Sequence, residues 1–498
     1  MNENRQKSTP FFTKLKAYGK SQVAPFDVPG HKLGRIENDL IKYIGKKTYQ
    51  LDSNSPIGLD HLNKPTGVIK EAEQLMAEAC NADRSYFLTN GTTTGILAMI
   101  MSVCKANDKI ILPRNVHKSV INGLILSGAV PVFIKPNIDQ ELGIANDVSF
   151  ASVKEAIDHH PDAVAIFIIN PTYFGVVSDL KRITHYAHQH DMIVMTDEAH
   201  GAQFYFSNEL PTSAMSANVD ISATSMHKTA GSFTQSSIIL TKGKRINHQR
   251  LRATLNMLQS TSPSSLLMAS IDVARKTMYF KGEKRIHELL QIAKEAREKL
   301  RKIPGIKVID HSYVNDKDCF GFDETKLVVK VSDLGLSGFE VYQLMRQKYN
   351  IQLELAESHI ILAILTIGTT KNDLDRLIKG FKGLSDEYYK VKSKLKKIEF
   401  DYVFPEAYSR PRDAYHAPKR IVPLDEAVNE IAGESVMIYP PGIPIVIPGE
   451  VITKEVLSDI KFYSTNSKAL QSDLDDKSIT VVDKDNWIKF NEEDNHEF

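Results

Sequence analysis

Between residues 67 and 241 short apolar runs alternate with stretches whose apolar positions recur at helical spacing. Residues 67–80 carry the helical period. Residues 85–88 form a strand-like run that ends in Asn90-Gly91, and 96–103 is apolar and helical in length. Runs 109–112 and 130–134 read as strands, with a helix over 119–126 between them. Runs 163–169 and 192–196 are apolar and bounded by turn residues, with a helix over 180–190. Runs 221–224 and 237–240 are two more short strands. Strand, helix, strand at this rhythm predicts βαβ units and a mostly parallel sheet covered on both faces. Ligands in such sheets sit beyond the strands' C-terminal ends. Loops 90–91, 113–117, 170–175, 197–201 and 225–228 are therefore expected to converge.

Farther on the texture changes. A long helix is expected over 266–300 and a smaller α+β segment over about 301–385. Residues 390–397 (KVKSKLKK) are a basic run, read as a solvated helix face, with a phosphate patch as the alternative. A Pro-rich run occupies 439–450, and the tail after 471 is acidic. The expected layout is an N-terminal arm over 1–50, a large domain over 51–300, a small α+β domain over 301–395 and a C-terminal α+β domain with acidic tail over 396–498.

Composition narrows the class. Hydrophobic residues make up 42% and charged residues 25% of the 498, an ordinary globular balance. Lys and Arg total 62 against 61 Asp and Glu, so no basic excess points to nucleic acid. Cys80, Cys104 and Cys319 are scattered, with no C-x-x-C, so neither a disulfide framework nor a zinc ribbon is expected. The N-terminus has no apolar core of a secretory signal, and no apolar stretch approaches the roughly 20 residues of a membrane span. A cytoplasmic protein without membrane contact is expected.

Candidate chemistry gathers at the strand ends. Lys228 follows the 221–224 strand among small and hydroxylated residues. Desolvation there lowers an amine's pKa and makes it a nucleophile able to form a Schiff base with an aldehyde; a surface lysine is the plain alternative. Asp197 ends the 192–196 run, where a buried carboxylate needs a cationic partner such as a pyridinium nitrogen; a helix N-cap is the alternative. Asn90-Gly-Thr-Thr-Thr-Gly95 opens a helix, and helix N–H groups with hydroxyls suit a phosphate. His117 and His200 lie on two other strand-end loops, where His117 could stack on an aromatic ring. The string DEAH at 197–200 is also a helicase spelling, but no Walker A precedes it: Lys14 stands where the Gly before Gly19-Lys20-Ser21 belongs. His185 and His188 are one helical turn apart, yet no further ligand set accompanies them, so no metal is expected.

Taken together these residues resemble the Orn/Lys/Arg decarboxylase family of fold-type-I pyridoxal-phosphate enzymes. The lysine-attachment signature of that family fits Ser225 to Ser237 at every position. PGHKLG at 29–34, NPTYFG at 170–175, DEAHGAQFYF at 197–206, QSTSPSSLLMAS at 259–270 and YPPGIPIVIPGE at 439–450 are similar to it as well, so the resemblance spans about 8–455. It implies an aspartate-aminotransferase-like α/β large domain, the cofactor pyridoxal 5'-phosphate, and these roles. Lys228 is the Schiff-base lysine, Asp197 pairs with the ring nitrogen, His117 stacks on the ring and Ala199 packs its other face. Gly91, Thr92, Thr93, Ser225 and His227 hold the phosphate, and His200 lies beside the bound substrate. Thr261 and Ser262 reach the neighbouring subunit's site in a homodimer. The chain resembles the short biosynthetic type without an N-terminal wing, which implies decarboxylation of L-arginine to agmatine for polyamine synthesis, with lysine or ornithine as alternatives. An aminotransferase or β-eliminase on the same fold, or a non-catalytic protein, are the competing classes. Glu434, Glu450 and Asp27 are candidate acids for the cationic end of the substrate.

Overall fold

The computed structural model describes residues 3–314, 320–389, 405–438, 442–466, 470–472 and 477–487. Cys319, the basic run 390–397, residues 439–441 of the Pro-rich segment and 488–498 of the acidic tail lie outside the described residues.

A seven-stranded sheet organises the large domain. Its strands are β1 (Arg84–Leu88), β2 (Lys109–Pro113), β3 (Val130–Ile134), β4 (Ala165–Ile169), β5 (Ile193–Glu198), β6 (Ile221–Thr224) and β7 (Ser237–Thr241), in spatial order β1-β7-β6-β5-β4-β2-β3. Only β7 runs against the others, pairing antiparallel with both β1 and β6. Its reversal has a consequence for the site. The start of β7 lies at the same sheet edge as the ends of the parallel strands. Register sets Asp197 of β5 opposite Ile169 of β4 and Ala223 of β6, at the C-terminal rim.

All but the edge strand β3 are largely buried on both faces, which explains runs too apolar for simple alternation. One layer packs Phe11, Leu15, Ile69, Met76 and Met268 against the sheet; the other packs Ile96, Met99, Val120 and Leu124. Each fully buried side chain of this size stabilises the fold by about 1.5–3 kcal/mol. Gly95 lets the helix Gly91–Val103 lie close on the sheet. A Cβ there would come within 2.9 Å of Leu88 and 3.0 Å of Ala223. That helix begins five residues before the apolar run that announces it in the sequence, because its first turn is Gly-Thr-Thr-Thr.

The described N-terminal residues 3–20 pack against the large domain, chiefly on the long helix Ser265–Leu300. Helix Pro10–Lys20 buries Phe11 and Leu15, and Arg275 donates to the carbonyls of Gln6 (2.7 Å) and Ser8 (2.5 Å). Downstream, Lys307–Val308, Lys326–Lys330, Ile360–Ile364 and Leu355–Ala356 form an antiparallel four-stranded sheet. Beyond residue 405, Lys419–Pro423 pairs with Ser478–Val482, and Val436–Ile438 pairs with Ile443–Val446. Among the described residues no helix is long and apolar enough to cross a membrane.

Candidate active site

All of the strand-end loops expected to converge meet at one cavity of about 470 Å³ on the C-terminal rim of the sheet. Its walls include Gly91, Thr92, Thr93, His117, Asp197, Ala199, His200, Ser225, His227 and Lys228. The start of reversed β7 adds Thr234 and Gln235.

At the mouth of the Gly91–Val103 helix, Gly91 has φ +73°, and a Cβ built there meets nothing within 4 Å. The space beside it is open, as a phosphate cradle requires. The Gly91 N–H is already committed to the Gln235 carbonyl (2.8 Å), so Gly91 contributes room and chain direction, while the following N–H groups remain for an anion. The three threonines divide their work. Thr92 Oγ1 lies 2.5 Å from Ser225 Oγ and donates to Ser237 Oγ (3.0 Å). Thr93 is exposed at the cavity. Thr94 Oγ1 donates to the Asn90 carbonyl and does not line it. His227 Nδ1 donates to the Ser236 carbonyl (2.9 Å), so its Nε2 is the free ring nitrogen.

The residue expected to stack, His117, is held as firmly. His117 caps the helix Lys118–Ser127, its Nδ1 accepting from the Ser119 N–H (3.1 Å). An accepting Nδ1 places the ring proton on Nε2. Burial, with Lys228 and Lys118 nearby, brings the His117 pKa down to about 4, so the ring is neutral at physiological pH.

Asp197 is buried, and its side chain accepts one hydrogen bond, from the Ala199 N–H (2.9 Å). Burial raises its pKa, while the Ala199 N–H and the charge of Lys228 draw it back. Lys228 is lowered by burial; Asp197 and Glu354 oppose that shift and Lys326 adds to it. Lys228 Nζ lies 2.9 Å from His200 Nε2, and His200 Nδ1 is buried without a hydrogen-bond partner. Burial and then Lys228 hold His200 well below the ordinary histidine range. The His200 ring packs on Tyr173, with centroids 4.3 Å apart.

Other residues fall elsewhere. Thr261 and Ser262 are exposed outside this cavity, and Ser262 Oγ accepts from Asn54 Nδ2 (3.2 Å). None of the three acids suggested for a cationic substrate lines the cavity. Glu450 is paired with Arg114 in the interior (2.7 Å), Glu434 accepts from the Thr480 N–H (2.6 Å), and Asp27 lines a separate groove beside Tyr18 and Phe26. A carboxylate near Lys228 is Glu354 of the small domain, which accepts from the hydroxyl of the cavity-lining Tyr173 (2.6 Å). Tyr173 stands inside the quoted NPTYFG motif, but nothing local ties it to an acid far along the chain. His185 and His188 hold no metal-like arrangement. His188 pairs with Asp220, and no group of three potential metal ligands occurs among the described residues.

Comparison with known proteins agrees with this geometry. Residues 9–330 match the Orn/Lys/Arg decarboxylase major domain, and 393–472 match the C-terminal domain of the same family. The arginine decarboxylase of Bacillus subtilis is 43% identical over 459 residues, covering 91% of this chain and 93% of that protein. Among solved structures, the lysine decarboxylase of Francisella novicida superposes with a TM-score of 0.81 at 21% identity, over 97% of this chain and 82% of that one. Lysine decarboxylase A of Pseudomonas aeruginosa gives 0.83 at 20% identity, over 97% and 81%. The chain belongs to the Orn/Lys/Arg decarboxylase family.

Proposed function

We propose that this member of the Orn/Lys/Arg decarboxylase family is a pyridoxal-phosphate-dependent carboxy-lyase that converts L-arginine to agmatine and CO₂. The observation that carries the reading is the approach of Lys228 and Asp197 to one cavity whose far wall is a helix N-terminus lined with hydroxyls. The choice of arginine rests on the B. subtilis relative, with lysine next.

The residues present suit the cofactor. Asp197 is a buried carboxylate without a bonded cation, and a protonated ring nitrogen supplies one. The Thr93 hydroxyl and the first-turn N–H groups offer donors to a phosphate beside the open space at Gly91, a protonated His227 would add Nε2–H, and Thr92 and Ser225 would turn hydroxyls now shared between them and Ser237. Neutral His117 and the small Ala199, both on the cavity wall, would hold the cofactor ring between them. Bound pyridoxal phosphate supplies an electron sink for the pair released when the Cα–carboxylate bond breaks.

The chain's own groups set up that break. Lys228, whose charge burial disfavours, would hold the cofactor's aldehyde carbon through its amine, the group whose nucleophilicity the bound cofactor needs. His200 Nε2 is within hydrogen-bond distance of that amine and steadies its orientation. Asp197 would favour a protonated ring nitrogen, which strengthens the electron sink that the bound cofactor supplies. Glu354, anchored by Tyr173, accepts the cationic end of the substrate. The apolar flank, with Ile169, Pro171 and Phe174, excludes water from the departing carboxylate and favours loss of its charge.

The assembly we place on this chemistry is a cytoplasmic homodimer with shared sites. Support comes from Thr261 and Ser262, exposed and away from their own cavity. Further support is the cluster of exposed apolar side chains on the N-terminal arm and its neighbour, Phe26, Val28, Tyr43 and Ile57. The amine product would feed polyamine synthesis. The test is incubation of purified, cofactor-loaded protein with arginine, lysine and ornithine in parallel. Agmatine as the dominant amine supports the reading, cadaverine or putrescine in its place reassigns the substrate, and no amine from any of the three overturns it.

A further inference from the structure

The cavity has one wall that the large domain does not supply. Ile443, from the strand Ile443–Val446 beyond the small domain, lines it together with His117 and Ser119. The segment that carries Ile443 is stitched to the His117 loop on both flanks. On one side the Lys118 N–H donates to the Gly442 carbonyl (3.0 Å). On the other, Arg114 donates from Nη1 to the Pro444 carbonyl (3.0 Å) and from Nη2 to that of Ile445 (3.4 Å).

The same guanidinium grips Glu450 with two bonds, Nε to Oε1 at 3.0 Å and Nη2 to Oε2 at 2.7 Å, across 336 positions of sequence. Both side chains are almost wholly buried, at 1% and 3% exposure. Glu450 also accepts from the Ile447 N–H (2.9 Å), and the Arg114 guanidinium lies 5.4 Å over the Phe133 ring. A pair this saturated has one low-energy geometry, because a shift would strand a charge or a carbonyl away from water.

We propose that the segment 442–450 is a working wall of the active site: Ile443 touches the molecules bound there, and Arg114 and Glu450 are positioning residues that hold Ile443 and the His117 loop in mutual register. The inference rests on the decarboxylase reading for the identity of those molecules. Its chemistry is simple. An aliphatic side chain beside the stacking histidine limits the width of the slot and keeps water from it. The latch fixes that width, since a displacement of about 1 Å near reacting groups can cost ~10²-fold in rate.

The experiment uses the full-length, cofactor-loaded protein and the variants I443A, I443W, E450Q and R114M/E450M. Four quantities are read: KM and kcat with arginine, agmatine affinity by calorimetry, the visible circular dichroism of the bound cofactor, and the thermal midpoint. I443W is expected to raise KM and weaken agmatine binding by roughly tenfold, a change of about 1.4 kcal/mol, while the thermal midpoint holds. I443A covers the case in which tryptophan prevents folding, and is expected to loosen agmatine and alter the dichroism. E450Q is expected to raise KM and change the dichroism. R114M/E450M, whose apolar pair repacks the interior, should recover the thermal midpoint but not KM. If both Ile443 variants fold and leave KM, agmatine affinity and dichroism as in the parent, the wall is overturned. If R114M/E450M recovers KM as well, the pair only docks the domain and its positioning role is overturned. If the parent protein makes no amine, the decarboxylase reading fails, and the dichroism of the Ile443 variants still decides the wall.

Discussion

Two buried sets of opposite charge flank His117, and they are used in opposite ways. Arg114 and Glu450 spend their polar atoms on each other and on backbone groups of segment 444–447. Lys228 and Asp197 do not. Asp197 receives a single side-chain bond, Lys228 leans on a neutral histidine, and the remaining nitrogen of that histidine has no partner. Burial without satisfaction is expensive, so it persists where a ligand completes it. The saturated pair is scaffold. The unsatisfied pair is where we propose that the chemistry is done.

The largest test of that contrast is removal of its reactive half. Lys228→Ala should lower amine production on the order of 10³-fold or more, the scale on which losing a nucleophile acts, with little change in thermal midpoint. Asp197→Asn should cost roughly 10²–10⁴-fold, again without unfolding the protein. Steady-state product assays beside thermal melts check both.

The saturated half should respond the other way round. Glu450→Ala leaves a buried guanidinium without its counter-charge, and such a break costs about 3–5 kcal/mol. Denaturant unfolding should report that loss. An equal loss for Asp197→Asn would erase the distinction between the two sets.

A smaller effect is expected at Glu354. Glu354→Gln keeps the shape and a possible bond to the Tyr173 hydroxyl but removes the charge. KM for arginine should rise roughly tenfold, about 1.4 kcal/mol, with kcat nearly preserved. A fall in kcat at unchanged KM would place Glu354 outside substrate binding.

The smallest expected effect is a pH slope. His117 has its pKa depressed from 6.5 to about 4. Between those values the unfolded chain binds a proton that the folded chain refuses, so stability rises with pH across that window and is lost as pH falls through it. His117→Asn should flatten that part of the stability profile, measured as unfolding midpoints from pH 4 to 7. The raised carboxyls of Asp147 and Glu198, each at about 7, act with the opposite sign and are unchanged in the difference between the two proteins.

Much of the large domain was legible along the chain. The runs 130–134 and 221–224 are strands with those bounds, and the alternation of strands and helices leads to the parallel sheet because most of its runs, 221–224 among them, are buried on both faces while 130–134 forms a partly buried edge. The short hairpin Ile138–Asp139 with Ile144–Ala145 was not legible, since two-residue strands carry no period. Glu450 was offered as a substrate-binding acid and Glu354 was not singled out, for one reason. A carboxylate's role depends on which cation or hydroxyl meets it, and their partners, Arg114 and Tyr173, are 336 and 181 positions away. Thr94 was not separable from Thr92 and Thr93, because only the turn of the helix decides which hydroxyl faces the cavity.

The linear order of residues determined the sheet, the loops that gather at its rim and the placing of an amine and an acid at neighbouring strand ends, because period and burial are local properties of a chain. Folding in three dimensions decided which charges are neutralised by scaffold and which are left open. It also decided that the slot is closed by a side chain from beyond the small domain. Those outcomes depend on contacts between distant segments, and hydrophobic periodicity carries no record of them.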